Sequence, residues 1–545
     1  MTRAGKMLFL FGVLCWGLLS SFHSIGGAAE NDLQIKGAGK GPMEGGIYRA
    51  PLLNNPKTLD PAFAEDVYSI AVIQQIFDGL VQFSPDLFVV PALAESWQVE
   101  GRGTVYRFIL RENGTFHNGT RVTATDVIFS LSRLMRLSPP PLILPSLLKI
   151  VGARDYRDLK ADHVSGLRAE GDHILLVTLE EPYVPFLIAL GMYQSKIVPS
   201  REVLKEGAEF GMKPVGSGPF RMVSWQANQK IQLERYPDYH GGQARLDGIS
   251  FLIYPGGEIE SVYNAFIKGE LHEMPVYGQI RERLKGHGEL KRVHRPSLSL
   301  LFYGVNCRHP VLGNPDIRRA LSLAIDRERL VKTVYDNQFE PARSILPPGL
   351  PGYQPDVDRK MYDLEEAITL FKRAAGNTSP ALDTIEVVSN VQSVMAQSEL
   401  SFVRDAWAKL GIALVPKFIP DWSRFEEYLK SESLQVYRYA WYADMPDPDN
   451  FLQPLFGTGA VANFMRFKND RVNEMLQAAR AIADPLERAG MYHDLQKAIH
   501  ESVPVLPLFY LSIDMAYQPY VQGIQVNALG GAMPYQKIWL SSPEG

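Results

Sequence analysis

The sequence predicts an α/β protein with more than one folding unit, and three observations carry that reading. Strand-like and helix-like hydrophobic periods alternate along almost the whole chain, separated by Gly, Pro and Asn turns. The 545 residues are 46% hydrophobic and 21% charged, which excludes disorder, collagen and coiled coil as whole-chain structures. That length implies about three domains or one large lobed unit, and no internal repeat or low-complexity block interrupts it.

The first 29 residues read as a cleaved export signal. Arg3 and Lys6 form a positive start, residues 7–22 are apolar, and Gly27-Ala28-Ala29 supplies the small residues a signal peptidase needs. The apolar run is short for a membrane span, and Leu14 before Cys15 does not suit lipid attachment, so the mature chain is expected to start near Glu30. Residues 30–45 are a flexible leader rich in Gly, Lys and Glu.

A first strand is expected at 46–50, then a helix at 67–77 ended by Gly79. A strand at 106–111 precedes the turns Asn113-Gly114 and Asn118-Gly119, and Thr125 and Asp126 begin a helix through Met135. A strand at 173–179 and a short helix at 182–190 follow. Further strands are expected at 231–235 and 249–254, with a helix at 259–268 stopped by Gly269. Residues 317–335 carry Ile317, Ala320, Leu321, Ala324, Ile325 and Leu330 at helical spacing and predict one long helix. Helix, strand, helix, strand then run through 364–375, 384–389, 398–410 and 412–418, with a last strand at 434–442.

Composition also narrows function. The formal net charge is −4 with no run of five like charges, so nothing points to nucleic acid. Cys15 and Cys307 are the only cysteines, too few for a disulfide framework, and Cys307 reads as a small buried hydrophobe. There is no Gly-x-Ser-x-Gly elbow, no His-Glu-x-x-His and no phosphate-binding loop. His493 and His500 fall seven apart on a helix and read as a solvated stripe. Asp444, Asp447 and Asp449 resemble a calcium loop only superficially, because Pro446 and Pro448 interrupt it and the closing Glu is missing. No catalytic residue, cofactor or metal is expected.

What remains is a series of local segments. They are Phe77-Asp78-Gly79-Leu80-Val81, Pro91-Ala92-Leu93-Ala94-Glu95-Ser96-Trp97, Tyr106-x-Phe-x-Leu-Arg111, Phe116-His117-Asn118-Gly119 and Ala124-x-Asp126-Val127-x-Phe129-Ser130. Then come Pro214-Val215-Gly216-Ser217-Gly218-Pro219-Phe220, the run from Asp316-Ile317-Arg318-Arg319 to Asp326-Arg327, and Trp441-Tyr442-Ala443-Asp444-Met445-Pro446-Asp447-Pro448. In this order they resemble extracellular solute-binding proteins of the peptide/nickel class, the receptors of bacterial ATP-driven (ABC) peptide importers. The resemblance covers residues 45–539.

It implies a two-lobed receptor of the periplasmic-binding type. Residues 46–76, 214–299 and 511–545 would form the core domain of lobe I, residues 77–213 its accessory domain, and 300–510 an inserted α/β lobe II. A ligand would sit between lobes that close on it like a hinge. The resemblance implies an exported, periplasmic monomer that binds di- or oligopeptides and hands them to an inner-membrane permease with ATPase subunits. A nickel chelate, haem, an opine or an oligosaccharide is the alternative ligand, and a periplasmic hydrolase the alternative class.

A receptor for many peptides must bind the backbone, the ammonium and the carboxylate that all peptides share. Gly216 and Gly218 would let backbone approach an extended ligand and Ser217 adds a hydroxyl, although the same residues make an ordinary turn. Residues 441–448 follow an apolar strand, and each residue before a proline is pushed into extended conformation, which stiffens the loop at Met445 and Asp447. Such a loop suits presentation of Asp444 to a cation. The resemblance pairs the aspartate at this position with the ligand ammonium and places Trp441 along the cleft; Tyr442 joins them as a candidate. Tyr303 and Asn306, at the start of lobe II, are further ligand candidates. Arg343 is a guess for the ligand carboxylate, and Arg318, Arg319, Asp326 and Arg327 read as structural helix-surface pairs.

Overall fold

The computed structural model describes residues 44–541 apart from 356–359, 377–381 and 531–533. The expected signal segment and nearly all of the leader lie outside the described residues. Among the described residues, no helix is long and apolar enough to cross a membrane.

Two groups of sheets carry the molecule. In the first, a four-stranded sheet runs in the order Ile47–Leu52, Gly248–Ile253, Lys230–Arg235, Phe220–Gln226, so the N-terminal strand pairs in parallel with one two hundred residues away. A second four-stranded sheet takes Ala94–Glu100, Val105–Leu110, Ile174–Thr178 and Leu167–Glu170, all antiparallel. A three-stranded sheet places Ser512–Tyr517 between Glu273–Pro275 and Lys291–Pro296.

The second group is a mixed six-stranded sheet in the order Glu340–Pro341, Val505–Tyr510, Ser299–Val305, Val436–Tyr442, Thr384–Ser389, Ala413–Phe418. Its central strand Ser299–Val305 is buried at all seven positions. Leu301, Tyr303 and Val305 point into one apolar cluster, and Leu300 and Phe302 into another on the opposite face. A strand covered on both faces reads as a continuous apolar run, and this one does.

The groups are joined where Lys291–Pro296 continues into Ser299–Val305 and Val505–Tyr510 continues into Ser512–Tyr517. The two crossings are bonded to each other. Ser297 N and Oγ donate to Leu511 O at 2.8 and 2.9 Å, and Leu511 N donates to Ser299 Oγ at 3.0 Å. The Ser297 and Ser299 hydroxyls are themselves 2.8 Å apart. Polar side chains satisfy the backbone there without a ladder, which suits a joint that bends.

Most expected elements are present within a residue or two, whereas the helices expected at 182–190 and 398–410 span Pro185–Ala189 and Val394–Ala408. The helix expected over 317–335 is broken into Pro315–Leu323 and Arg327–Tyr335. Asp326 is extended (φ −77°, ψ 95°) and caps the second helix, its carboxylate accepting from Arg329 N at 2.9 Å. Arg318 and Arg327 are structural but buried, not surface pairs. Arg318 donates to the carbonyls of Leu312, Ser502 and Val503, and Arg327 to those of Pro507, Ser322, Ile325 and Met361. The helix expected from Thr125 is capped by Thr123, whose hydroxyl and backbone exchange bonds with Asp126. Cys307 is partly buried with its thiol against Val305 O, and burial raises its pKa.

Candidate functional site

Strand Val436–Tyr442 ends in residues 443–448, which lead into helix Asp449–Phe456. This loop is held from several sides. Ala443 N donates to Leu298 O at 2.8 Å, tying it to one of the crossings between the sheet groups. Asp444 N donates to Asn450 Oδ1 at 2.8 Å, and the Trp441 indole donates to Asn450 O at 2.9 Å. Asp447 and Asp449 are buried, and each meets an arginine with two bonds. Arg488 reaches Asp447 at 2.7 and 2.9 Å, and Arg480 reaches Asp449 at 2.7 and 3.0 Å. Paired forks of this kind are the strong charge-assisted bonds. They also occupy the oxygens that a calcium loop would have used.

Asp444 differs from its two neighbours. It is exposed, and no cation of the described residues is among the groups that act on its carboxylate. Protein around it raises its pKa above the ordinary carboxylate value, with Asn450 pulling the other way. The groups near it come from distant segments. Tyr193 has its hydroxyl pushed up to about 12, first by burial and then by Asp444, Glu65 and Asp66. Tyr277 is raised by burial and then by Tyr68 and Tyr442. Tyr193 therefore lies within electrostatic reach of Asp444, Glu65 and Asp66, and Tyr277 within reach of Tyr442 and Tyr68. The neighbourhood of the loop is rich in tyrosine and carboxylate.

The other candidates fall in three places. Tyr442 is 59% exposed and acts electrostatically on Tyr277. Trp441 is half-buried, its ring against the apolar cluster and its indole N–H spent on Asn450. Gly216, Ser217 and Gly218 form a clasp that serves the fold. Gly216 N donates to His117 Nδ1 at 3.3 Å, and Gly216 O accepts from His117 N at 2.8 Å. Gly218 N donates to Ile76 O at 2.8 Å, and Gly218 O lies 3.0 Å from His117 Nε2. All four backbone groups are used, and Ser217 is buried, accepting from Asp78 N at 3.4 Å. A Cβ on Gly216 would lie 2.0 Å from Ile76 O. The close approach these glycines allow is to the end of helix Val67–Ile76, so their backbone is engaged within the fold.

Tyr303 and Asn306 are likewise engaged within the fold. Tyr303 is fully buried and donates to Glu399 Oε1 at 2.9 Å, inside a cluster where Arg438 forks onto Glu399 and Tyr335 donates to it. Asn306 is buried, donating to Leu434 O at 2.8 Å and accepting from Arg308 N at 3.0 Å. Tyr303 shares a strand face with Leu301 and Val305, and Asn306 follows the strand at the start of a turn. Arg343 pairs with Glu328 at 3.1 Å. Glu65, Tyr68, Tyr193 and Tyr277 carry no motif; in the structure Phe63 and Val67, around the helix start, are exposed apolar residues.

Comparison with known proteins matches this arrangement to one family. Residues 89–463 match the model of the bacterial extracellular solute-binding proteins, family 5 Middle. A probable di/tripeptide-binding protein 5 of Pseudomonas aeruginosa is 28% identical over 81% of this chain and 85% of its own length. The dipeptide-binding protein of Escherichia coli is 26% identical over 87% and 90%. Heme-binding protein A of Haemophilus influenzae is 25% identical over 84% and 85%. Among solved structures, the unliganded open form of the periplasmic murein tripeptide-binding protein MppA superposes with a TM-score of 0.81 at 23% identity, covering 92% of this chain and 99% of that one. The two groups of sheets are the two lobes of the periplasmic-binding-protein fold. The chain belongs to the bacterial extracellular solute-binding proteins of family 5.

Proposed function

We propose that the chain is a periplasmic receptor, not an enzyme, that binds di- or oligopeptides around Asp444. It would deliver them to an inner-membrane ABC permease and its ATPase subunits. The observation that carries the peptide reading is the Asp444 carboxylate, which is exposed just past the end of a strand, forms no ion pair among the described residues and lies within electrostatic reach of Tyr193. A free α-ammonium is the group every unblocked peptide offers such a carboxylate. A charge-assisted bond of this type contributes about 1.5–3 kcal/mol, enough to hold many peptides without reading their side chains. The names of the Pseudomonas and Escherichia coli relatives support the same ligand class.

A haem ligand is the second reading, favoured by the name of the Haemophilus relative and by the tyrosines in the neighbourhood of the loop. A thermal-shift screen of the mature chain against dipeptides, tripeptides and haemin separates the two. Peptides are expected to raise the melting temperature and haemin to leave it unchanged. A response to haemin alone would overturn the peptide reading.

A further inference from the structure

The loop that bears Asp444 is held through its neighbours Met445 and Asp449. Arg480, in the last turn of helix Asp470–Ala481, forks onto Asp449 at 2.7 and 3.0 Å. Its own carbonyl accepts from Val184 N at 2.9 Å, and its guanidinium lies 5.9 Å from the centre of the Tyr183 ring. Met445, the residue after Asp444, is buried in the apolar cluster that holds Tyr183, Ala62, Leu190 and Met192. Met445 within the loop is thus held in the cluster that contains Tyr183, and Asp449 at its end is held by Arg480, which itself meets Tyr183 and Val184 in the accessory segment of lobe I.

We infer that Arg480 is a positioning residue for Asp444, fixing the loop through Asp449 and coupling it to lobe I through the Tyr183–Val184 contact. This rests on the reading of Asp444 as the ammonium partner. The physical reason is preorganisation. A carboxylate on a mobile loop must be ordered when the ligand arrives, and that cost is subtracted from its bond. The guanidinium fork removes the cost in advance, and the contact with Val184 lets a shift of lobe I move the loop. Lysine offers a single point charge and no fork, so it is a partial substitute at best.

The test uses the mature chain and its Arg480→Met and Arg480→Lys variants, titrated calorimetrically with trialanine and N-acetyl-trialanine. Partial unfolding lowers the active fraction for both peptides alike, so the ratio of their affinities is blind to a merely structural defect. Arg480→Met is expected to cut that ratio about five- to tenfold, with Arg480→Lys in between. An unchanged ratio in Arg480→Met would overturn the inference. Amide hydrogen exchange of the ligand-free proteins is the second measurement. The amides of Ala443, Asp444, Asp447 and Asp449, all bonded here, are expected to exchange faster in Arg480→Met while helix Pro485–Ser502 keeps its protection. No local acceleration overturns the positioning role. If wild-type protein binds both peptides equally or neither, the ammonium reading falls, and exchange alone decides the role of Arg480.

Discussion

At the scale of single residues, charge and enclosure separate function from framework. Asp444, Asp447 and Asp449 look alike in the sequence, yet two are sealed against arginines and only Asp444 faces solvent. The alternation Asp-Pro-Asp could show a stiff loop but not which carboxylate would find a partner. His117 gives the same lesson. The sequence shows it in a turn, Phe116-His117-Asn118-Gly119, whereas in the fold its ring bridges Gly216 and Gly218. Nδ1 accepts from Gly216 N and Nε2–H donates to Gly218 O, an arrangement that requires the neutral ring. Burial lowers its pKa to about 4, and burial does the same for His272. The sign follows from linkage: between about pH 6.5 and 4 the unfolded chain binds protons that the folded chain refuses. Stability from these residues is full above pH 6.5 and lost as pH falls through about 4, at most roughly 3 kcal/mol for each. Urea unfolding at pH 7 and pH 4.5 should show that loss, and His117→Gln should reduce it. A loss of equal size in the variant would contradict this account of the clasp.

At the scale of elements, hydrophobic period and caps made most of the chain legible. Strands such as Thr384–Ser389 and helices such as Leu364–Ala375 stand where periodicity puts them because their burial follows it. Periodicity failed at Asp326, where apolar residues continue in register across a break. The side chain of Asp326 offers the next helix a cap that costs the first helix its continuation, and buried Arg327 then satisfies carbonyls around the break. Asp326→Ala should lower stability by about 1 kcal/mol in chemical denaturation, as loss of an N-cap does. If the helix were continuous and Asp326 a surface residue, the change would be near zero or stabilising. Strand parity was legible too, but unused. Tyr303 shares a face with Leu301 and Val305, which already placed it in a core.

At the scale of the whole molecule, the lobes were recognisable only by resemblance, because local patterning cannot say that Ile47–Leu52 pairs with Gly248–Ile253. The surroundings of Asp444 were legible from one side only. Tyr442 and Asp444 emerge from a strand end that the sequence marks, while Glu65, Tyr68, Tyr193 and Tyr277, whose charges and hydroxyls act on that loop or on one another, come from three separate segments with no shared signal. The lobes meet at two crossings held by Ser297, Ser299 and Leu511, and the loop is tied to one of them through Leu298. Closure over a ligand should therefore compact the molecule and raise its stability by about 2.7 kcal/mol at a hundredfold excess over Kd. Small-angle scattering with a saturating peptide should show a smaller radius of gyration. An unchanged radius with a peptide that measurably binds would contradict the hinge.

The central claim is that Asp444 holds the amino terminus of a peptide, and a calorimetric cycle tests it most directly. Wild-type protein and Asp444→Asn are titrated with a free peptide and with its N-acetylated form. Asparagine keeps the shape and loses the charge. The account predicts that the variant binds the free peptide roughly ten- to a hundredfold more weakly, about 1.5–3 kcal/mol. It further predicts that acetylation weakens binding to the wild type by a similar factor and that the two losses do not add. Equal affinity of the wild type for free and acetylated peptides would contradict it and leave Asp444 as a residue of the turn.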